Sequence, residues 1–138
     1  MTKLDKLIGI PFKLGREDFN ACDCVGLLWL YYNYIYNKDI VSIRNNKRSW
    51  FRNTRNDLRI MVRVLKGIGR PVLSCKELRK DDIVILKADR KKKLCALGVC
   101  IDNFEVLCMR GKRIGSVLVK KKYLEEIFIR GYRLNEAF

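Results

Sequence analysis

The sequence has 138 residues, a formal net charge of +15, a hydrophobic fraction of 49% and no histidine. This length and hydrophobic fraction predict one folded domain over residues 1–138 and exclude a disordered chain. The absence of histidine excludes a Cys-His or Ser-His-Asp pair within the chain and any zinc site that needs imidazole, and it removes the commonest general base.

Helical patterns occupy the first half of the chain. Residues 1–22 are predicted to form a short helix or strand followed by an irregular segment. Apolar residues then recur at helical spacing, which predicts a helix over 23–36 with Asp23 as its N-cap. After a polar and basic loop, a second helix is predicted from about residue 54 to 66, ended by Gly67 and Gly69.

The second half contains short β-branched or aromatic segments separated by turn residues. Asp102 and Asn103 have the composition of a two-residue hairpin connection. Helices followed by an antiparallel meander predict an α+β domain rather than a βαβ protein. Five strands are predicted, over residues 82–88, 94–101, 104–110, 116–120 and 127–133.

No targeting segment, membrane span or cofactor is predicted. The first ten residues are too mixed in polarity for a signal peptide. The longest apolar stretch, residues 25–36, is about half as long as a membrane span and contains Asn33. We therefore expect synthesis in a cytosol.

Six cysteines stand at positions 22, 24, 75, 95, 100 and 108. Because no export signal is visible, they are predicted to be reduced thiols packed as small hydrophobic residues. Structural zinc is the alternative. Cys22 and Cys24 are too close in sequence for the usual ligand pair, whereas the spacing of Cys95 and Cys100 only just fits.

The positive charge indicates an anionic partner, such as nucleic acid, an acidic protein face or an anionic cell-wall polymer. Compositional bias is the competing explanation, because Lys, Asn, Ile and Tyr are abundant and the basic residues are spread along the chain. The run at 44–55 interleaves cations with aromatic residues, as single-strand binders do. The runs at 90–93 and 120–122 are predicted to be solvated hairpin turns.

Cys24 is the most informative residue, since it lies in the first turn of the predicted helix. Unpaired backbone N–H groups and the helix dipole lower a thiol pKa at such a position. A thiolate at a helix start, followed by a sheet, is typical of cysteine peptidases. A buried structural cysteine is the alternative, and the spacing alone favours neither interpretation.

The sequence around Cys24 resembles a known family. The segments Gly9-x-Pro11-Phe12, Gly15-Arg16 and Asp23-Cys24-x-Gly26-Leu27 are similar to the N-terminal motif of NlpC/P60 cell-wall peptidases, in particular the small phage-encoded ones. Residues 82–86, 96–102, 104–108 and 129–133 resemble the later family blocks, in the same order. The resemblance implies a papain-like fold, with N-terminal helices packed on a C-terminal antiparallel sheet of about five strands, and it puts Cys24 at the nucleophile position.

The departures from the family bear directly on chemistry. The resemblance places Ala96 where the family has its catalytic His, and Cys108 where a polar residue orients that His. Phe12 replaces a Tyr whose hydroxyl often helps near the oxyanion site, while Asp23 and Cys24 are kept. Without the His, the leaving amine lacks its proton donor, and losing one member of such a unit costs orders of magnitude in rate. A Lys could replace it in principle, but the sequence singles out none.

Three functions follow. The first is a catalytically degenerate NlpC/P60-like domain acting as a structural or binding component of a phage tail tip or baseplate, located in the virion after synthesis in the host cytoplasm. Its partners would be other tail or baseplate proteins, or peptidoglycan and anionic cell-wall polymer. The second is an active peptidoglycan hydrolase with Cys24 as nucleophile and a base that is not His or comes from a neighbouring chain. The third is a basic nucleic-acid-associated domain.

The sequence also predicts the reactivity of Cys24. If the pocket at Cys24 survives, this thiol should react with alkylating agents faster than the other five cysteines.

Overall fold

The computed structural model describes residues 2–13, 16–40, 57–87, 95–110 and 114–135. The α-helices there are α1 (Cys24–Tyr36) and α2 (Asp57–Ile68). The strands are β1 (Glu17–Asp18), β2 (Ala21–Cys22), β3 (Gly69–Val72), β4 (Ile83–Lys87), β5 (Cys95–Cys100), β6 (Glu105–Met109), β7 (Ser116–Lys120) and β8 (Phe128–Leu134). Short 3-10 turns occupy Leu4–Leu7, Cys75–Glu77, Lys121–Tyr123 and Glu125–Ile127.

Helix α1 confirms the prediction for residues 23–36. The Asp23 side chain accepts a 2.7 Å hydrogen bond from the Gly26 N–H, which caps the helix start. Asn37 ends the helix in the left-handed conformation, with φ 55°. Most of the helix is buried on all sides, including Tyr31 and Tyr32, so α1 forms the centre of the core rather than a surface layer.

Helix α2 differs from its prediction at the C-terminal end. It continues through Gly67 to Ile68, and Gly69 starts strand β3, which sequence reasoning did not predict. An added Cβ at Gly69 would lie 2.5 Å from the carbonyl oxygen of Arg133, so close strand packing explains this glycine. Pro71 is accommodated because β3 is an edge strand. The predicted start of this helix, at residues 54–56, lies outside the described residues.

Among the described residues, the main sheet has six antiparallel strands in the order β3-β8-β4-β5-β6-β7. The five predicted strands are confirmed, and β3 adds a sixth. Strands β4 to β7 form the predicted meander, but β8 returns to pair with β4 instead of extending it. The connection between β5 and β6 is longer than two residues. Its Asp102 carboxylate accepts hydrogen bonds from the N–H groups of Phe104 and Glu105, at 2.7 and 2.8 Å.

Each face of the sheet covers a hydrophobic cluster. Ile83 and Ile85 of β4, Leu97 and Val99 of β5, and Leu107 of β6 pack with α1, which defines the α1 face. The alternate residues of the same strands form the far face: Val84, Leu86, Cys100, Val106 and Cys108. The α+β architecture with α1 packed on an antiparallel sheet is therefore confirmed, with the Cys24 end of the helix placed near β5.

Other sequence predictions have mixed outcomes. Cys22, Cys24, Cys75, Cys100 and Cys108 are buried, reduced cysteines, as predicted for packed thiols. The run at 120–122 is not a hairpin turn, because it ends β7 and begins a 3-10 turn. The basic runs 44–55 and 90–93 lie outside the described residues. Within the described ranges, neither helix is long and apolar enough to span a bilayer.

Candidate functional site at Cys24

Cys24 is the first residue of α1, at the position predicted for a nucleophile. Its side chain is only 5% exposed. Three backbone groups, the N–H of Leu97, that of Val25 and its own, favour the ionised form of the thiol. The helix start and strand β5 thus surround the sulfur on the core side of the sheet.

The electrostatics of Cys24 contradict the predicted low thiol pKa. Burial raises the pKa of Cys24 from 9.0 to about 12, and the neighbouring Asp23 carboxylate contributes in the same direction. The surrounding N–H groups oppose this shift but are outweighed by loss of solvent. The prediction considered the helix terminus and omitted desolvation, which is the larger effect here. At neutral pH this sulfur is a protonated thiol.

Ala96 lies on β5, immediately before Leu97. It pairs with Leu86 of β4, a residue of the far face, whereas the next pair, Leu97 with Ile85, lies on the α1 face. The methyl group of Ala96 therefore points away from α1, although its backbone adjoins the Leu97 N–H that interacts with Cys24. At this point the part of β5 that faces the thiol is Leu97, which offers its backbone N–H and an aliphatic side chain.

Cys108, at the predicted third position, lies on the opposite face of the sheet from Cys24. It is 1% exposed, sits opposite Gly98 in the register, and belongs to the far-face cluster. Burial raises the pKa of its thiol to about 11, despite the opposing charge of Arg110. The fold brings Cys24 next to β5, the strand that carries Ala96, but does not bring Cys108 to the Cys24 thiol.

Phe12 and Asp23 both lie near the start of α1. Phe12 is half-buried and forms a parallel bridge with Cys22, two residues before Cys24. Asp23 is fully buried and caps the helix.

The segment that carries Phe12 is held by Ser116, a buried residue that sequence reasoning missed. Its hydroxyl donates to the carbonyl of Leu7 at 2.6 Å and accepts from the Ile10 N–H at 2.8 Å.

The described residues around Cys24 supply only part of what acyl transfer requires. A cysteine nucleophile needs a thiolate, a proton donor for the leaving amine and donors for the oxyanion. The helix start can supply oxyanion donors, but the thiol is buried and protonated, and the whole chain contains no histidine. In this structure Cys24 is thus packed as a buried thiol, in a chain that has no histidine to act as its base.

A buried helix that begins with a cysteine and packs on an antiparallel sheet defines a papain-like α+β fold. Solved structures resemble this chain, among them the crystal structure of the NlpC/p60 domain of peptidoglycan hydrolase SagA, with a TM-score of 0.62. The match covers 96% of this chain and 93% of that chain at 12% sequence identity. No family model matches the sequence, and no curated protein is detectably similar to it. The chain thus has an NlpC/P60-like fold, and at this identity the similarity defines the fold alone.

Proposed function

We propose that this chain is a catalytically degenerate NlpC/P60-like domain that acts as a structural and binding component of a phage tail tip or baseplate. The observation that carries the proposal is the state of Cys24, a buried thiol with its pKa raised to about 12 in a chain without histidine. The resemblance of residues 9–27 to the small phage-encoded members of the family supports the tail setting. The proposed location is the virion, after synthesis in the host cytoplasm.

A binding role needs a surface, and one is available where three segments meet around Lys121. Its N–H donates to the carbonyl of Phe104 at 2.7 Å, and its Nζ lies 3.3 and 3.2 Å from the carbonyls of Lys76 and Leu78. These contacts hold the segments together at one end of the sheet. We call the exposed side chains of Phe104 and Tyr123, which lie on the segments next to Lys121, the Lys121 surface.

The Lys121 surface combines exposed apolar groups with positive charge. Phe104 and Tyr123 are 74% and 67% exposed. The Lys122 ammonium lies 5.1 Å from the centre of the Tyr123 ring. Exposed large apolar side chains are typical of interaction sites, and aromatic anchors dominate the energy of protein interfaces. With a net charge of +15, the partner it suits best is an acidic face of a neighbouring tail protein.

The experiment compares assembly and hydrolysis. A tagged chain is expressed during particle production, and purified particles are analysed for its stoichiometric incorporation. The double variant Phe104→Ser/Tyr123→Ser should lose incorporation, whereas Ile114→Ser, which changes a residue that is 62% exposed elsewhere, should retain it. Absence of the wild-type chain from tails, or equal incorporation of both variants, contradicts the proposal.

In the second arm, the purified wild-type chain and the Cys24→Ala variant are incubated separately with cell walls, and the release of new amino groups is measured. The expected result is no release that depends on Cys24. Turnover that disappears in Cys24→Ala would instead support an active hydrolase. Retention of nucleic acid with a steep salt dependence would support the basic nucleic-acid-associated domain.

A further inference from the structure

The two outer strands of the main sheet differ in how they present their edges. Strand β3, at one edge, has four residues, and its exposed Pro71 has no N–H to offer to a further strand. Strand β7, at the other edge, contains no proline, and its middle consists of three consecutive apolar residues, Val117 to Val119. An outer strand of this kind is a template for pairing with another chain.

The hydrogen bonds that flank β7 show which of its residues direct their backbone groups to β6. At one end, the N–H of Lys121 donates to the carbonyl of Phe104 at 2.7 Å. At the other end, the N–H of Arg110 donates to the carbonyl of Gly115 at 3.0 Å. Hydrogen-bonded pairs alternate with non-hydrogen-bonded pairs along an antiparallel ladder, so every second residue between Gly115 and Lys121 bonds to β6. These residues are Val117 and Val119.

The other residues of β7, Ser116, Leu118 and Lys120, direct their backbone groups away from β6. Ser116 agrees with this register, because its N–H donates to the carbonyl of Ile10 at 3.0 Å and its carbonyl accepts from the N–H of Gly9 at 2.7 Å. The N-terminal segment thus covers the first of the three residues. No hydrogen bond among the described residues engages the outward N–H and C=O groups of Leu118 and Lys120. We call these two donors and two acceptors the β7 edge.

The side chains of β7 lie at the margin of both hydrophobic clusters of the sheet. Leu118 packs against the cluster on the α1 face, and Val119 packs against the cluster on the far face. Both side chains are only half-buried. A strand added beside β7 would cover their exposed parts and extend the apolar packing on each face of the sheet. The β7 edge therefore offers apolar contact as well as backbone hydrogen bonds.

Positive charge is concentrated at the C-terminal end of the β7 edge. Lys120 is exposed, and Lys121 and Lys122 follow it directly. Lysines at a sheet edge discourage pairing with a second copy of the chain, which would bring the same lysines and a net charge of +15. The same lysines attract acidic side chains. The charge thus selects an acidic strand and disfavours self-association.

We propose that the β7 edge binds an extended acidic segment of a partner protein as a seventh strand of the main sheet. The backbone of that segment pairs with Leu118 and Lys120, as in other cases of strand addition to an exposed edge. Its apolar residues cover Leu118 and Val119, and its carboxylates lie near the lysines at the end of β7. The Lys121 surface begins where β7 ends, so it continues the binding site beyond the strand. The inference deepens the proposed function and rests on it for the existence of an acidic protein partner.

The first test measures amide hydrogen exchange of the isotope-labelled full chain by NMR. In the free chain, the amide protons of Leu118 and Lys120 should exchange much faster than those of Val117 and Val119, which bond to β6. A synthetic acidic strand, acetyl-Glu-Val-Thr-Val-Glu-Val-Glu-amide, should slow the two fast amides about tenfold at ten times its Kd. Protection of both amides in the free chain overturns the proposal. If that protection rises with protein concentration, a second copy of the chain occupies the edge.

Two control peptides separate strand pairing from simple charge attraction. The first has proline in place of the central valine and keeps the charge. The second has lysine in place of each glutamate. Proline removes a ladder N–H and lysine reverses the charge, so each control should bind at least about tenfold more weakly than the acidic strand. Equal binding of either control, or no saturable protection by the acidic strand, refutes the assignment.

Substitution of Lys120 tests the edge in the protein itself. The φ of Lys120 is −63°, which proline adopts without strain, and its N–H faces outwards, so Lys120→Pro should fold and block the edge. Lys120→Ala removes the same charge but keeps the N–H, which makes it the matched control. Lys120→Pro should bind the acidic strand at least about tenfold more weakly than Lys120→Ala does, and equal binding contradicts the proposal. If Lys120→Pro does not fold, the control peptides decide.

The particle assay distinguishes this inference from the proposed function. Both are supported if the wild-type chain and Lys120→Ala are incorporated and Lys120→Pro is not. Incorporation of Lys120→Pro at the level of Lys120→Ala refutes the inference and leaves the proposed function standing. Absence of the wild-type chain from particles contradicts the proposed function, while the peptide experiment still decides whether the edge accepts a strand.

Discussion

The state of the Cys24 thiol makes a quantitative prediction about its reactivity. Burial raises its pKa from 9.0 to about 12. Each pKa unit is a factor of ten in population, so below pH 9 the native protein holds about a thousandfold less thiolate at Cys24 than the unfolded chain does. Since the thiolate is the reacting species, alkylation of native Cys24 should be slower by at least that factor. Burial also raises the thiol pKa of Cys100 to about 12 and that of Cys108 to about 11, so we now expect no faster labelling of Cys24 than of these two.

The assay is iodoacetamide labelling of native and denatured protein over a range of pH, resolved by mass spectrometry of peptides. Cys22 lies in the same tryptic peptide, so a Cys22→Ala background leaves one thiol to quantify. The native rate should rise tenfold per pH unit up to about pH 9, without a plateau. A native rate close to that of the denatured chain, or a plateau near neutral pH, would show an ionised Cys24 and refute the argument.

Two further predictions concern stability, measured by chemical denaturation. Gly26→Ala should destabilise by about 1–3 kcal/mol, because its Cβ would lie 2.3 Å from the carbonyl oxygen of Arg16. Gly67→Ala, in a helix with nothing within 4 Å of its Cβ, should instead be neutral or stabilising, and equal effects would contradict the packing explanation. Arg133→Ala leaves the carboxylate of Asp82, which is 1% exposed, without its cationic partner and with the Arg79 N–H as a remaining donor, and should cost about 3 kcal/mol. Arg16→Ala breaks a pair whose side chains are 41% and 45% exposed and should cost about 1 kcal/mol or less, so similar losses would refute the buried-pair argument.

Local patterns made most of the secondary structure predictable. The Asp23 cap and the apolar spacing of α1 gave its start and end, because both signals lie within the segment itself. The five strands of the second half were equally visible from their β-branched runs. Strand β3 was missed, because Gly69 and Pro71 are usual breakers and become a strand here only through pairing with β8 at the sheet edge.

The candidate site was less predictable, because its properties depend on distant contacts. The helix start argued for an acidic thiol at Cys24, but only the fold shows that strand β5 buries it. The position of Cys108 could be aligned along the chain, yet strand alternation places it on the far face of the sheet. Ser116 was missed for the same reason, since its partners are Leu7 and Ile10.

The residues that most suggested an enzyme also have structural roles that need no catalysis. The Asp23 carboxylate caps α1, and the backbone N–H of Asp23 donates to the carbonyl of Arg16 at 3.1 Å. Gly26 leaves room for that same carbonyl to approach the helix. These contacts hold the chain around Arg16 against the helix whether or not the neighbouring thiol reacts. A motif of the form Asp23-Cys24-x-Gly26 can therefore persist as a folding element after its chemistry is lost, and the protonation state of Cys24 is the property that distinguishes the two cases.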